Sequence, residues 1–180
     1  MINTIDLPNE FLISWRKHAK VIEGELFHNW KNLSEYTSLI QNNENCLLAG
    51  ISKDLGLEYR REYYSIDAVF YDKYNDKVPN LNENWVWLRN IKIAFEHEHD
   101  STSTYQEISH LAITNCELRV LVTYPWMEED KLLKSYTEII RRNTTLQADN
   151  SFLVIFGYED NGQKVAWDAF IYRDKKWYKL

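Results

Sequence analysis

The segment ELRVLVTYP, residues 117–125, carries apolar side chains on both of the faces a strand presents. Successive strand residues point to opposite sides, so a run that is apolar on both must be covered on both. It predicts a central strand in a sheet flanked by helices, which restricts the fold more than any other stretch of the chain. Its neighbours agree. EEDKLLKSYTEIIRRN (128–143) is an amphipathic helix, acidic at its start and basic at its end, as the helix dipole prefers. SFLVIFGYED (151–160) and KVAWDAFIYRD (164–174) read as two strands joined through the turn-forming pair Asn161-Gly162, and the terminal KKWYKL adds a short edge piece.

Upstream, residues 9–22 set Phe11, Leu12, Trp15, Ala19 and Ile22 at helical spacing. Residues 34–56 continue as helix, with Ser34 as N-cap and an apolar stripe of Leu47, Leu48, Ile51 and Leu55 ahead of Gly56. The period then changes. EYYSIDAVFYD (62–72) reads as a strand, YNDKVPNLNEN (74–84) as a loop, and WVWLRNIKIAFEHE (85–98) as a second strand. STSTYQEISHLAITNC (101–116) gathers Ile108, Leu111 and Ala112 on one helical face. The expected fold class is α/β: one domain over 1–180, a mixed central sheet flanked by helices. Its helical N-terminal part covers 1–56 and its α/β core 57–180.

Hydrophobic residues make up 44% of the chain, with seven Trp and twelve Tyr, which argues against disorder. A net charge of −6 argues against a constitutive nucleic-acid binder, whose footprint is basic. It leaves room for an enzyme whose metal ions offset its carboxylates. Cys46 and Cys116 sit in apolar company and read as buried free thiols. The start MINTIDLPNE has neither the basic nor the apolar region of a secretory signal, and no apolar run reaches membrane-span length, so a cytoplasmic location is expected.

The chemistry concentrates at IKIAFEHEHD, residues 91–100, where a core strand ends in a comb of carboxylates and imidazoles. Alternation places Glu96 and Glu98 on one face and His97 and His99 on the other, with Ile91, Ile93 and Phe95. If 62–72 and 86–98 pair as neighbours, Asp67 sits beside Glu96. Carboxylates crowded in this way repel unless a cation neutralises them, and a hard divalent ion such as Mg²⁺ is the natural counter-charge. The bland alternative is a solvated acidic strand end. His97 and His99 as zinc ligands lack a third ligand in reach; His97 reads better as packed partly into the sheet–helix layer and His99 as a local cap or hydrogen bond.

The order of a strand with Asp67 (YSIDAVFYD), a strand with Glu96 and Glu98 (IAFEHEHD), the helix TYQEISHLA and the strand LRVLVTYP resembles the PD-(D/E)xK nuclease superfamily, the restriction-endonuclease-like fold. The likeness covers residues from about 58 to 125. It implies that Asp67 and Glu96 are ligands of Mg²⁺ or Mn²⁺ and that Glu98 occupies the third position, where Lys is usual, binding a second ion or orienting water. Glu58 or Glu62 would supply a leading acid, and Gln106, Glu107 or His110 would assist from the following helix, with Gln106 and His110 one turn apart on one face. Ile66 stands where the family's Pro is common. The resemblance implies phosphodiester hydrolysis, with DNA ahead of RNA as partner, and a homodimer would address both strands. The missing Lys keeps a second reading open: a catalytically inactive protein on the same scaffold that binds a protein partner, of the immunity, antitoxin-like or phage-accessory kind.

Remaining features have plainer readings. Trp85 and Trp87 are expected to pack one sheet face. Arg60-Arg61 and Arg141-Arg142 are expected at solvated positions. YRDKKWYKL mixes Lys and Arg with aromatics and suits either a nucleic-acid edge or a lysine-protected edge strand.

Overall fold

A computed structural model describes residues 6–42, 44–79, 86–142 and 151–180. The helices α1 (Leu7–Val21), α2 (Glu23–His28), α3 (Leu33–Thr37) and α4 (Leu47–Leu55) come first, with a π-helical turn at Ser38–Asn42. There follow β1 (Glu58–Tyr63), β2 (Ile66–Tyr71), β3 (Ile91–Glu98), α5 (Thr104–Ile113), β4 (Cys116–Thr123), α6 (Glu129–Arg142), β5 (Ser151–Asp160), β6 (Lys164–Arg173) and β7 (Lys176–Lys179). The seven strands form one sheet in sequential order. β1, β2 and β3 run antiparallel, β3, β4 and β5 are parallel, and β6 and β7 close antiparallel. The expected α/β class with a mixed, helix-flanked sheet is what the chain adopts.

β4 is central because both its faces are apolar. Leu118, Val120 and Val122 join Phe11, Trp15, Leu26, Tyr36, Leu48 and Ile51 of the N-terminal helices on one side of the sheet. Leu121 joins Ile108, Leu111, Leu132, Tyr136 and Ile140 of α5 and α6 on the other. The parallel connections force α5 and α6 to cross over the sheet, and the helical periods of their apolar residues bury them there. Both cysteines are buried and free. No helix among the described residues is long and apolar enough to cross a membrane.

Two structural details fix α5 in place. Arg119 of β4 is 2% exposed, and its guanidinium donates to the carbonyls of Leu111 at 2.8 Å, Cys116 at 3.3 Å and Thr114 at 2.5 Å. A buried cation thus draws together carbonyls at the end of α5 and the start of β4. At the other end Thr104 Oγ1 lies 2.7 Å from the Tyr136 hydroxyl of α6.

Several boundaries differ from expectation. The stretch read as a strand from 62 follows an additional strand, β1, and the turn between β1 and β2 falls at Tyr64-Ser65. Glu62 and Tyr64 adopt left-handed backbone with φ of 50° and 55°, without the Gly or Asn that usually announces such a turn. The helix expected over 34–56 is interrupted, and Asn32 rather than Ser34 caps α3, accepting from the Glu35 N–H at 3.4 Å. The strand expected from 85 begins at Ile91; Trp87 is exposed in the connection before it, and Trp85 lies outside the described residues. Asn161 and Gly162 have φ of 54° and 64°, both left-handed, which suits the twist of the β5–β6 hairpin they join.

Candidate metal centre

β2 and β3 pair in the register Ala68↔Phe95 and Val69↔Ala94, which brings Asp67 and Glu96 opposite one another just beyond. There the side chains take over the ladder. The Asp67 N–H donates to Glu96 Oε2 at 3.2 Å, and the His97 N–H donates to Asp67 Oδ2 at 2.9 Å. Each carboxylate is therefore clasped by the backbone of the neighbouring strand with one oxygen left over. Both lie on the face of Val69 and Ala94, under α5, at the carboxyl end of β3 where open α/β sheets place their ligands.

α5 begins just past that strand end and hangs Glu107 and His110 over the pair. His110 Nδ1 is 3.8 Å from Glu96 Oε1 and 3.5 Å from Glu107 Oε2. One ligand atom from each of Glu96, Glu107 and His110 falls within 4.8 Å of the others. Glu96 is 1% exposed, and its Oε1 and the His110 Nδ1 are buried without a hydrogen-bond partner. Unsatisfied buried polar atoms are rare because each forfeits its hydration with nothing in return.

The electrostatics follow from this packing. Burial, then the charges of Asp67 and Glu107, push the Glu96 carboxyl up to about 9. Burial also raises Asp67, against the His97 N–H that lowers it, and raises Glu107, against the pull of His110. Among the described residues the only ion-pair partner of Glu96 or Glu107 is His110. Arg61 lowers Asp67 from a distance, but its guanidinium pairs with Glu62 at 3.3 Å. The cluster is short of positive charge.

The remaining residues singled out from sequence divide clearly. Glu98 shares the face of Glu96 and adds to its negative potential, but its Oε1 accepts the Asp100 N–H at 2.8 Å. Gln106 is exposed and joins nothing in the cluster. At about 100° per residue, Gln106 falls on the side of α5 opposite buried Thr104, Ile108 and Leu111, whereas Glu107 falls at the edge of that buried arc. Glu107 thus holds the helix position that Gln106 was expected to share with His110. Glu58 pairs with Lys73 at 2.8 Å, and exposed Glu62 pairs with Arg61, so neither supplies a leading acid.

His97 and His99 point to the other layer, as alternation requires. His97 Nε2 lies 2.8 Å from the Tyr124 hydroxyl, and the two imidazoles pack among Tyr36 and Tyr124 with ring centroids 4.8 to 6.2 Å apart. Burial pushes His97 down to about 3 and lowers His99. They belong to no candidate metal group among the described residues. At the C-terminus Trp177 donates its indole N–H to the Leu133 carbonyl and Thr137 Oγ1 of α6, so its ring is a packing element of the edge strand.

Comparison with known protein families, curated proteins and solved structures finds no match to this chain.

Proposed function

We propose that this chain is a divalent-metal-dependent nuclease of the PD-(D/E)xK kind, hydrolysing phosphodiester bonds of nucleic acid, with DNA ahead of RNA as substrate. One observation carries the reading: Asp67 and Glu96 are clasped side by side across β2 and β3, under the helix that leads into parallel β4. A strand with Asp67, a strand with Glu96, a helix and a further strand are the order in which that resemblance expects its two acids.

The residues fit Mg²⁺ or Mn²⁺ by charge, since three carboxylates crowd a site where, among the described residues, His110 is the one ion-pair partner of Glu96 and Glu107. When bound, such an ion supplies Lewis acidity to a phosphoryl oxygen and a more acidic water. Glu96, through the oxygen that the backbone leaves free, would hold it together with Glu107 and His110 of α5, and Asp67, which lies outside that three-residue group, would join from beside Glu96. Release of the Glu96 proton accompanies that role, because a carboxyl raised to about 9 by burial and by its acidic neighbours must ionise to coordinate.

The test is cleavage of plasmid and of single-stranded DNA and RNA in Mg²⁺ or Mn²⁺, against Asp67→Asn and Glu96→Gln. We expect the wild type to cut and each variant to lose about 10²-fold or more of that rate; equal cleavage in all three samples overturns the reading. One observation favours a second reading. The Glu98 carboxylate is bonded to its own loop, and among the described residues no lysine pairs with Glu96 or Glu107, so the position that the resemblance gives to Lys has no counterpart there. A protein of this kind that holds an ion but does not cut, and acts by binding a partner protein, would gain melting temperature with Mn²⁺ yet leave every nucleic acid intact.

A further inference from the structure

Resting on that proposed ion site, we infer that Glu107 and His110 make it selective for a first-row transition-metal dication, represented here by Mn²⁺, over Mg²⁺. The carboxylate pair on the sheet is indifferent between the two ions, and the discrimination is built into α5.

The donor set supports this. Glu96 Oε1, Glu107 and His110 Nδ1 offer two carboxylate oxygens and one imidazole nitrogen. Mg²⁺ takes oxygen ligands in near-ideal octahedra and sheds water reluctantly, whereas imidazole suits the transition metals. A hydrogen-bonded His–Glu pair would be the plain alternative, but 3.5 and 3.8 Å are too long for one, and both Glu96 Oε1 and His110 Nδ1 are left without a partner. Two ligands on one ion with bonds of about 2.1 Å stand about 3 to 3.5 Å apart, close to the spacings observed. Glu96, 1% exposed, has its orphaned oxygen 3.8 Å from His110 Nδ1 across this gap.

The nitrogen is also held in place. Arg119 secures the end of α5 through the Leu111 and Thr114 carbonyls, and the Thr104–Tyr136 contact secures its start. A ligand on a helix tied at both ends enforces its geometry on the ion, while one on a loop would adapt to either.

The experiment uses the full chain stripped with chelator. Mn²⁺ binding is followed by the free-ion electron paramagnetic resonance signal and Mg²⁺ by competition, in wild type, His110→Ala and Asp67→Asn. We expect His110→Ala to cut the Mn²⁺-over-Mg²⁺ preference about 10-fold or more while changing Mg²⁺ affinity less than about threefold. Asp67→Asn weakens both ions together. Pulsed resonance on the Mn²⁺-loaded wild type should show modulation from one directly bound nitrogen, a readout that needs no variant to fold. Both ions bound, with the preference unmoved by His110→Ala or no nitrogen signal, overturns this inference and leaves the nuclease reading standing. Failure of both ions to bind overturns the nuclease reading, and this inference with it.

Discussion

Glu96 and His97 are adjacent on β3, the first buried and the second partly buried, yet they face different layers. On the N-terminal helix side His97 gives up its proton, hydrogen-bonds Tyr124 and packs against Tyr36, so nothing charged remains. On the α5 side Glu96 is placed against two other carboxylates, keeps one oxygen with no partner, and is relieved by the Asp67 N–H, with a histidine 3.8 Å away. Both sides leave buried polar atoms without partners, His97 Nδ1, His99 Nε2 and the Tyr36 hydroxyl on one and Glu96 Oε1 on the other. What separates them is charge: the histidine side is neutral, whereas the Glu96 side crowds carboxylates together, and costs of that kind collect where function requires them.

Breaking the packed side should have the largest effect. Tyr36 is fully buried and touches Trp30, His97, His99 and Tyr124, so Tyr36→Ala should lose about 3–5 kcal/mol in urea unfolding without altering any metal-induced rise in melting temperature.

The two sides should next separate by pH. His97 is held below its ordinary 6.5, at about 3, so the unfolded chain binds its proton first. Its contribution is present above pH 6.5 and drains away as pH falls, by about 3 kcal/mol between pH 7 and pH 4. Glu96 has the opposite sign. Its folded pKa is raised from 4.5 to about 9, so its contribution is present below pH 4.5 and is lost as pH climbs through that window. Asp67 and Glu107, also raised, act in the same direction. His97→Phe should flatten the acid limb of the metal-free stability profile. Glu96→Gln should flatten the alkaline limb and stabilise the metal-free protein at pH 8 by about 1–2 kcal/mol. Unchanged limbs in both variants would erase the contrast between the faces.

The smallest effect belongs to Gln106. Exposed and outside the cluster, it should tolerate Gln106→Ala within about 0.5 kcal/mol and without change in Mn²⁺ affinity, whereas Glu107→Gln should weaken that affinity by about 10-fold. Equal responses at the two positions would place the helix face wrongly.

Much of this architecture was legible in the residues themselves. ELRVLVTYP is apolar on both faces and has to be central; α6 and the β5–β6 hairpin announce themselves by helical period, charge order and Asn161-Gly162. The placement of Glu96 and Glu98 opposite His97 and His99 follows from strand alternation alone. β1 was hidden because its turn uses Tyr64 in left-handed backbone, a choice stabilised by the sheet rather than by local preference.

The site divides in the same way. Periodicity settles which face each β3 residue takes, because the pleat is a property of the chain. The partner of Glu96 from α5 depends instead on how that helix is rotated over the sheet, and its rotation is set by distant contacts: Arg119 holding its last carbonyls and Tyr136 meeting Thr104. A helix offers Gln106, Glu107 and His110 on a continuous surface with no local mark between them. The packing of Ile108 and Leu111 into the sheet then turns Glu107 inward and Gln106 out to solvent, since burying apolar area stabilises far more than either polar residue's placement costs.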